Sequence, residues 1–155
     1  SFAPSRVAAV GFSNGAILVE DLGCRLASVI SLIVPVEGQM STVQSASCSP
    51  AKPESVYEIH GTADSVIPYS GGYFSTSIGE DTMLSAPNSV ARWAHLDGCS
   101  TGPVTTTSGS TISLSTYSKC QGGATVTLRT INGGEHGWPP DIGQLVAQEL
   151  SLLPK

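Results

Sequence analysis

Arg6–Leu26 reads RVAAVGFSNGAILVEDLGCRL, a short apolar run, a serine set between glycines and an amphipathic stretch in immediate succession. The run Arg6–Gly11 is apolar and carries β-branched residues, which predicts a buried strand. Asn14–Leu26 then places Ala16, Val19, Gly23 and Leu26 on one face, at the three-to-four spacing of a helix packed on a sheet. Between the two stands Gly11-Phe12-Ser13-Asn14-Gly15, a G-x-S-x-G. A glycine-rich turn with an incidental serine is the plainer reading of five such residues. A strand before them and a helix after them tell against it, because that context defines a nucleophile elbow. The turn is then so tight that the serine is strained, and its oxygen projects near the positive end of the helix. The backbone N–H of Asn14 would face a developing oxyanion, a contact worth about 3 kcal/mol in a transition state.

Outward from this elbow, strands and helices alternate. Val29–Val36 (VISLIVPV) and Ser55–His60 (SVYEIH) read as further buried strands. Gln39–Pro53 is polar and interrupted by Pro50 and Pro53, so a loop is expected; residues 68–81 are expected to form another. Pro87 suits the first turn of a helix that runs through Val90, Trp93 and Ala94 and stops at Gly98. Thr111–Tyr117 and Thr125–Ile131 alternate as strands do. A last helix is expected from about Asp141 to Leu152. The order implies one α/β domain spanning all 155 residues, with a mostly parallel sheet flanked by helices.

Composition narrows the partners. Charged residues make up 12% of the chain and the net charge is −5 with no basic run, which argues against a nucleic-acid partner. The longest apolar stretch, Val29–Val36, is broken by Ser31 and Pro35 and falls short of the roughly 18 residues of a membrane span. No leader segment opens the sequence. The four cysteines allow three pairings, and none has the spacing of a zinc site. Cys24–Cys48 and Cys99–Cys120 are the favoured bridges, each closing a loop of about 20–25 residues and contributing about 3 kcal/mol. Four buried thiols would be the alternative; low charge and an even count favour disulfides.

A serine hydroxyl needs a base, and the base an orienting acid. After a nucleophile elbow of this kind the chain order is serine, acid, histidine. Asp64 fits in His60-Gly61-Thr62-Ala63-Asp64, just beyond a buried strand, where parallel sheets gather their site residues. His136 fits in Gly133-Gly134-Glu135-His136-Gly137-Trp138-Pro139, on a loop that glycines free to fold back. His60 precedes the acid and reads as a structural histidine beneath the site, and His95 lies mid-helix. Asp21 and Asp97 lie on helices, Asp81 in a polar loop, and Asp141 at a helix start. Glu37, at the end of the second strand, is the one rival to Asp64, but it follows the elbow too soon. Trp93 reads as core. Trp138 either lines the site or pins its loop, and Tyr69, Tyr73 and Phe74 are candidates for substrate contact.

With these residues in place, the sequence resembles the polyhydroxybutyrate depolymerase and feruloyl esterase-like family of α/β-hydrolases. The matching stretches are VGFSNGA at the elbow, Val34-Pro35-Val36-Glu37-Gly38, HGTADSVIPYSGG from His60, SVARWAHLDGC from Ser89 and INGGEHGWP from Ile131. They run through nearly the whole chain in the family's order. The resemblance implies Ser13, Asp64 and His136 as a catalytic triad, a Cys99–Cys120 disulfide, secretion, and no metal or organic cofactor. It implies ester substrates, either phenolic (feruloyl) and acetyl esters of plant polysaccharides or short-chain polyesters.

Two departures from the family accompany the match. Family members carry several strands before the elbow, with a histidine-glycine loop that supplies a second oxyanion donor, whereas this sequence opens a few residues before the elbow strand. A fragment, a shortened natural form or a second chain completing the sheet would each account for it. The elbow strand would then be an exposed edge. Glu135 stands where the family usually has glycine. The leading expectation is a serine carboxylesterase acting through an acyl-enzyme. The alternatives are a non-catalytic hydrolase fragment serving as a binding module and, more remotely, a peptidase of the same fold.

Overall fold

The computed structural model describes residues 6–76 and 79–154. Its main sheet has six strands in the order β1 (Ala8–Phe12), β2 (Leu32–Val36), β3 (Ser55–Gly61), β8 (Val126–Ile131), β7 (Ile112–Ser118) and β6 (Thr101–Ser108). The first four run parallel; β7 and β6 continue antiparallel. This is a mixed α/β fold with a mostly parallel sheet, as the alternation of elements predicts. Strand β1 forms one border of the sheet, and its Val10 is 37% exposed.

Side-chain alternation divides the core into two layers. Ile33, Val56, Val126 and Leu128 point to the face covered by α1 (Asn14–Leu26) and α3 (Ala86–Leu96), where Trp93 is fully buried. Leu32, Val34, Val36, Tyr57 and Ile59 point to the other face, covered by α4 (Ile142–Leu152). Strands β2 and β3 are buried along their whole length; β2 reads as a continuous apolar run, as strands sandwiched between helices do, whereas β3 also buries Glu58 and His60.

Four points of the sequence reading need correction. The predicted loop at Gln39–Pro53 contains a short helix, α2 (Thr42–Ser47), opened by a reciprocal cap in which Ser41 and Gln44 each bond the other's backbone N–H. That satisfies two otherwise free donors at once. The predicted loop at residues 68–81 holds a hairpin, β4 (Gly72–Thr76) with β5 (Gly79–Met83); Ser77 and Ile78, within the same stretch, lie outside the described residues. Strand β6 had no counterpart in the sequence reading. Strand β2 also begins at Leu32 rather than Val29, the preceding residues forming the turn out of α1.

Both favoured disulfides are formed, Cys24–Cys48 and Cys99–Cys120. The first ties α1 to the end of α2, the second ties the end of α3 to the segment after β7. Two disulfides are consistent with an oxidising, extracellular setting. Among the described residues no helix is long and apolar enough to cross a membrane.

Candidate active site

The chain turns from β1 into α1 through Ser13, whose φ is 56° and ψ −122°. A non-glycine residue at such a φ is strained and is held there only by its surroundings. The Ser13 N–H donates to the Val36 carbonyl (2.9 Å), and the Ser13 carbonyl accepts from Ala16 and Ile17. Gly11 is required because a Cβ there would overlap the Gly15 carbonyl; a Cβ on Gly38 would come within 2.7 Å of the Ser13 carbonyl oxygen. Gly15, by contrast, faces open space, so the second glycine of the motif meets no steric limit within the described residues. The Asn14 N–H, at the helix start, donates to no group among the described residues, as expected of the first amides of a helix.

Asp64 and His136, 72 residues apart, meet at 2.7 Å between Asp64 Oδ2 and His136 Nδ1. Asp64 follows β3 and His136 follows β8, its parallel neighbour. The other oxygen, Oδ1, accepts the N–H groups of Val66 (2.7 Å) and Ile67 (2.9 Å). Burial pushes the Asp64 carboxyl up, but the hydrogen bonds from His136, Ile67, Val66 and Glu37 outweigh it and hold it below its usual range. An ionised Asp64 accepts the Nδ1 proton, which leaves Nε2 of the imidazole as the free, basic nitrogen. The His136 ring lies over Phe12, the residue before Ser13, with ring centroids 4.8 Å apart. The histidine loop therefore does fold back across the sheet to the elbow. Among the described residues, Ser13 Oγ has no hydrogen-bond partner, an arrangement common in sites that tighten on substrate.

Behind Asp64 lies a second layer of polar groups. His60 is fully buried and its Nε2 lies 2.9 Å from the Ile67 carbonyl, to which it donates. The same nitrogen is 3.4 Å from Asp64 Oδ2 and 3.5 Å from Glu37 Oε2. Burial first of all pushes the His60 pKa down, so it stands as a neutral structural histidine beneath the acid. The Glu37 carboxyl is 1% exposed and accepts the Gly61 N–H. Burial, with the neighbouring Asp64, raises its pKa to about 8 against the pull of the Gly61 N–H. Glu37, His60 and Asp64 each bring a ligand atom within 4.8 Å of the others. Those atoms are already engaged by Gly61, Ile67 and His136 respectively. The trio is a hydrogen-bonded network, a poor fit to a metal ion.

The remaining sequence candidates separate. Trp138 is 49% exposed and packs edge-on against Phe12, with centroids 5.9 Å apart. Tyr69 is committed inward: its hydroxyl pairs with Thr130 Oγ1 (3.0 Å) and its ring meets His60 edge-on. Tyr73 is exposed on the hairpin, while His95 and Glu135 face solvent. Asp21 pairs with Arg25, and Asp141 pairs with Arg129 at 3.0 Å and does not cap α4 through its side chain. Phe12 is the site residue that sequence reasoning passed over, since it fills a variable position of the motif.

No known protein-family profile matches this chain. Its fold is shared with an esterase of known structure. Superposition on the crystal structure of esterase PE8 gives a TM-score of 0.58 at 21% identity, over 98% of this chain and 53% of that one. At the level of sequence, feruloyl esterase B of Piromyces equi is 36% identical over 136 residues, which is 86% of this chain and 25% of that protein. The chain thus spans about a quarter of that relative and about half of the solved esterase.

Proposed function

We propose that this chain carries the catalytic centre of a serine carboxylester hydrolase of the α/β-hydrolase type, with Ser13 as nucleophile, His136 as base and Asp64 as orienting acid. The observation that carries the reading is the Asp64–His136 pair at 2.7 Å, brought by Phe12 against the strained Ser13 turn. His136 Nε2 takes the Ser13 proton as Oγ attacks the ester carbonyl, and the tetrahedral oxyanion forms against the Asn14 N–H. The same proton passes to the leaving alcohol, giving an acyl-Ser13 ester. Water, deprotonated by His136, then attacks this ester; the acid departs and Ser13 regains its proton.

Similarity to feruloyl esterase B supports an ester substrate. The exposed Trp138 edge against Phe12 offers an apolar wall beside Ser13 that suits an aromatic acyl group such as a ferulate. Acetyl esters and short hydroxyalkanoate polyesters are the other substrate classes of the reading. Trp138 rather than Tyr69 is the side chain we place against substrate. The two disulfides support action outside the cell. Nothing in the fold or the comparisons adds weight to a second chain completing the sheet.

Labelling the purified protein with a fluorophosphonate and measuring its intact mass tests the assignment. One adduct is expected, lost in Ser13→Ala and His136→Ala, with ester turnover lost in parallel. Turnover within about tenfold of wild type in either variant overturns it. Folded protein that takes no label would favour a non-catalytic binding module, for which the bordering position of β1 is the supporting feature.

A further inference from the structure

Four groups line the carboxyl ends of the parallel strands, and the proposed triad uses three of them. Ser13 follows β1, Glu37 follows β2, Asp64 follows β3 and His136 follows β8. Glu37 is unused, yet its placement is unusual in two respects. Its backbone sits at φ 51°, making it, with Ser13 and Lys119, one of three non-glycine residues in the left-handed region among those described. That conformation is pinned by the Glu37 N–H donating to the Ile59 carbonyl (2.9 Å). Its side chain is turned inward, with a carboxyl oxygen within 4.8 Å of one on Asp64 and both carboxyls within 3.5 Å of the His60 Nε2. Strain of this kind persists where the surroundings hold a residue for a purpose.

Two buried carboxyls this close cannot both be ionised without a cation between them. The charged groups that face Glu37 are few: Asp64 from the loop after β3, His60 and Glu58 from β3 itself, and His136 beyond Asp64. His60 gives its Nε2 proton to Ile67, so one proton must reside on the pair. The number of donors decides which member keeps it. Among the described residues, Asp64 accepts from Val66, Ile67 and His136, whereas Glu37 accepts only from Gly61. The anion belongs on Asp64 and the proton on Glu37.

We propose that Glu37 is a positioning residue for the esterase reaction, its carboxyl O–H donating a hydrogen bond that fixes the Asp64 carboxylate in the orientation that holds His136. The proposal rests on the triad assigned above. The rise of the Glu37 pKa to about 8 agrees with the donor count and sets where the device fails. Above that pH a second anion forms against Asp64 and the donated hydrogen bond is lost. Glutamine reproduces the neutral form, with an amide to donate to Asp64 and a carbonyl to accept from Gly61, and it cannot ionise.

The test is the pH profile of kcat and KM on a simple aryl ester for wild type, Glu37→Gln, Glu37→Ala and Ser13→Ala, with melting curves for each. Wild-type kcat is expected to fall as pH rises through about 8. Glu37→Gln should hold kcat within about threefold at neutral pH and lose that alkaline fall. Glu37→Ala should lower kcat by about tenfold or more with KM within about twofold. An alkaline fall unchanged in Glu37→Gln, or a wild-type profile in Glu37→Ala, overturns the proposal. If Glu37→Ala does not fold, the Glu37→Gln profile alone decides. Ser13→Ala separates the two layers of argument. Activity surviving in it sinks the triad; activity lost in it while the Glu37 variants behave as wild type sinks only the role of Glu37.

Discussion

The ring of Phe12 and the imidazole of His136 lie 4.8 Å apart at an interplanar angle of 38°. This contact joins the elbow to the histidine loop. An aromatic pair is worth about 0.5–1.5 kcal/mol beyond the area it buries, enough to decide how firmly the imidazole is held beside the elbow. Phe12→Ala should therefore lower kcat by roughly three- to tenfold, with a smaller effect on KM. Phe12→Tyr, which keeps the ring, should recover most of the loss. Steady-state kinetics of the two variants checks this, and equal rates in all three proteins would contradict it.

Asp64 holds His136 in the Nδ1–H tautomer through its 2.7 Å bond. Replacing it with asparagine fills the same space but favours the wrong tautomer, so Asp64→Asn should reduce kcat by roughly 1,000- to 10,000-fold. Substrate binding should change little. Pre-steady-state acylation rates, with binding of a non-hydrolysable ester analogue, separate the two effects.

The α1–α3 face of the sheet holds four further acids out of water. Glu20, whose carboxyl accepts from Trp93 and Ser89, is pushed up to about 8 by burial. Burial and the neighbouring Asp97 and Glu20 do the same for Glu54; burial raises Asp97 to about 7 and Glu58 well above its usual range. In the unfolded chain these groups ionise near 4 to 4.5. The folded state therefore binds more protons across this interval, and stability must fall as pH rises. The urea midpoint should be highest near pH 5 and decline until about pH 8, where the loss levels off. A midpoint that rises over the same range would refute the neutral-acid account of this core.

Cys24–Cys48 closes a loop across a sequence separation of 24, for which chain entropy predicts about 3 kcal/mol. A Cys24→Ala, Cys48→Ala pair should lose about that much in denaturant unfolding. Its activity at room temperature should be nearly unchanged, because Ser13 sits at the opposite end of α1 from Cys24.

The parallel sheet was legible in the sequence, and so was the pairing of Asp64 with His136, because each rests on local signals that add up. The elbow motif sits between a strand and a helix, and chain order then selects Asp64 and His136. Strand β6 was illegible because it is exposed along nearly its whole length, so no inward-outward alternation of apolar residues marks it. Helix α2 spans only six residues; Ser41 and Gln44 did spell its cap, but Pro50 and Pro53 drew the eye to a loop. The hairpin of β4 and β5 hid behind Gly71 and Gly72. At the site, the relation of Glu37 to Asp64 could not be read, because it depends on two neighbouring strands ending in register. Tyr69 shows the reverse error: an aromatic beside the acid looked available to substrate, and the fold turned it inward to Thr130 and His60.

The strand order places Ser13 and His136 at the ends of strands β1 and β8, three positions apart, which at about 4.8 Å per strand is roughly 14 Å of sheet. Neighbouring groups such as Glu37 and Asp64 inherit their spacing from the sheet itself. The serine and the histidine do not, and the approach of His136 to the elbow through Phe12 depends on a single glycine-bearing excursion of the chain from Asn132 to Pro139. The proposed nucleophile and base are thus set by parts of different rigidity. Warming should loosen the excursion well before the sheet melts, so catalytic power should disappear at temperatures where the fold is still intact and should return on cooling.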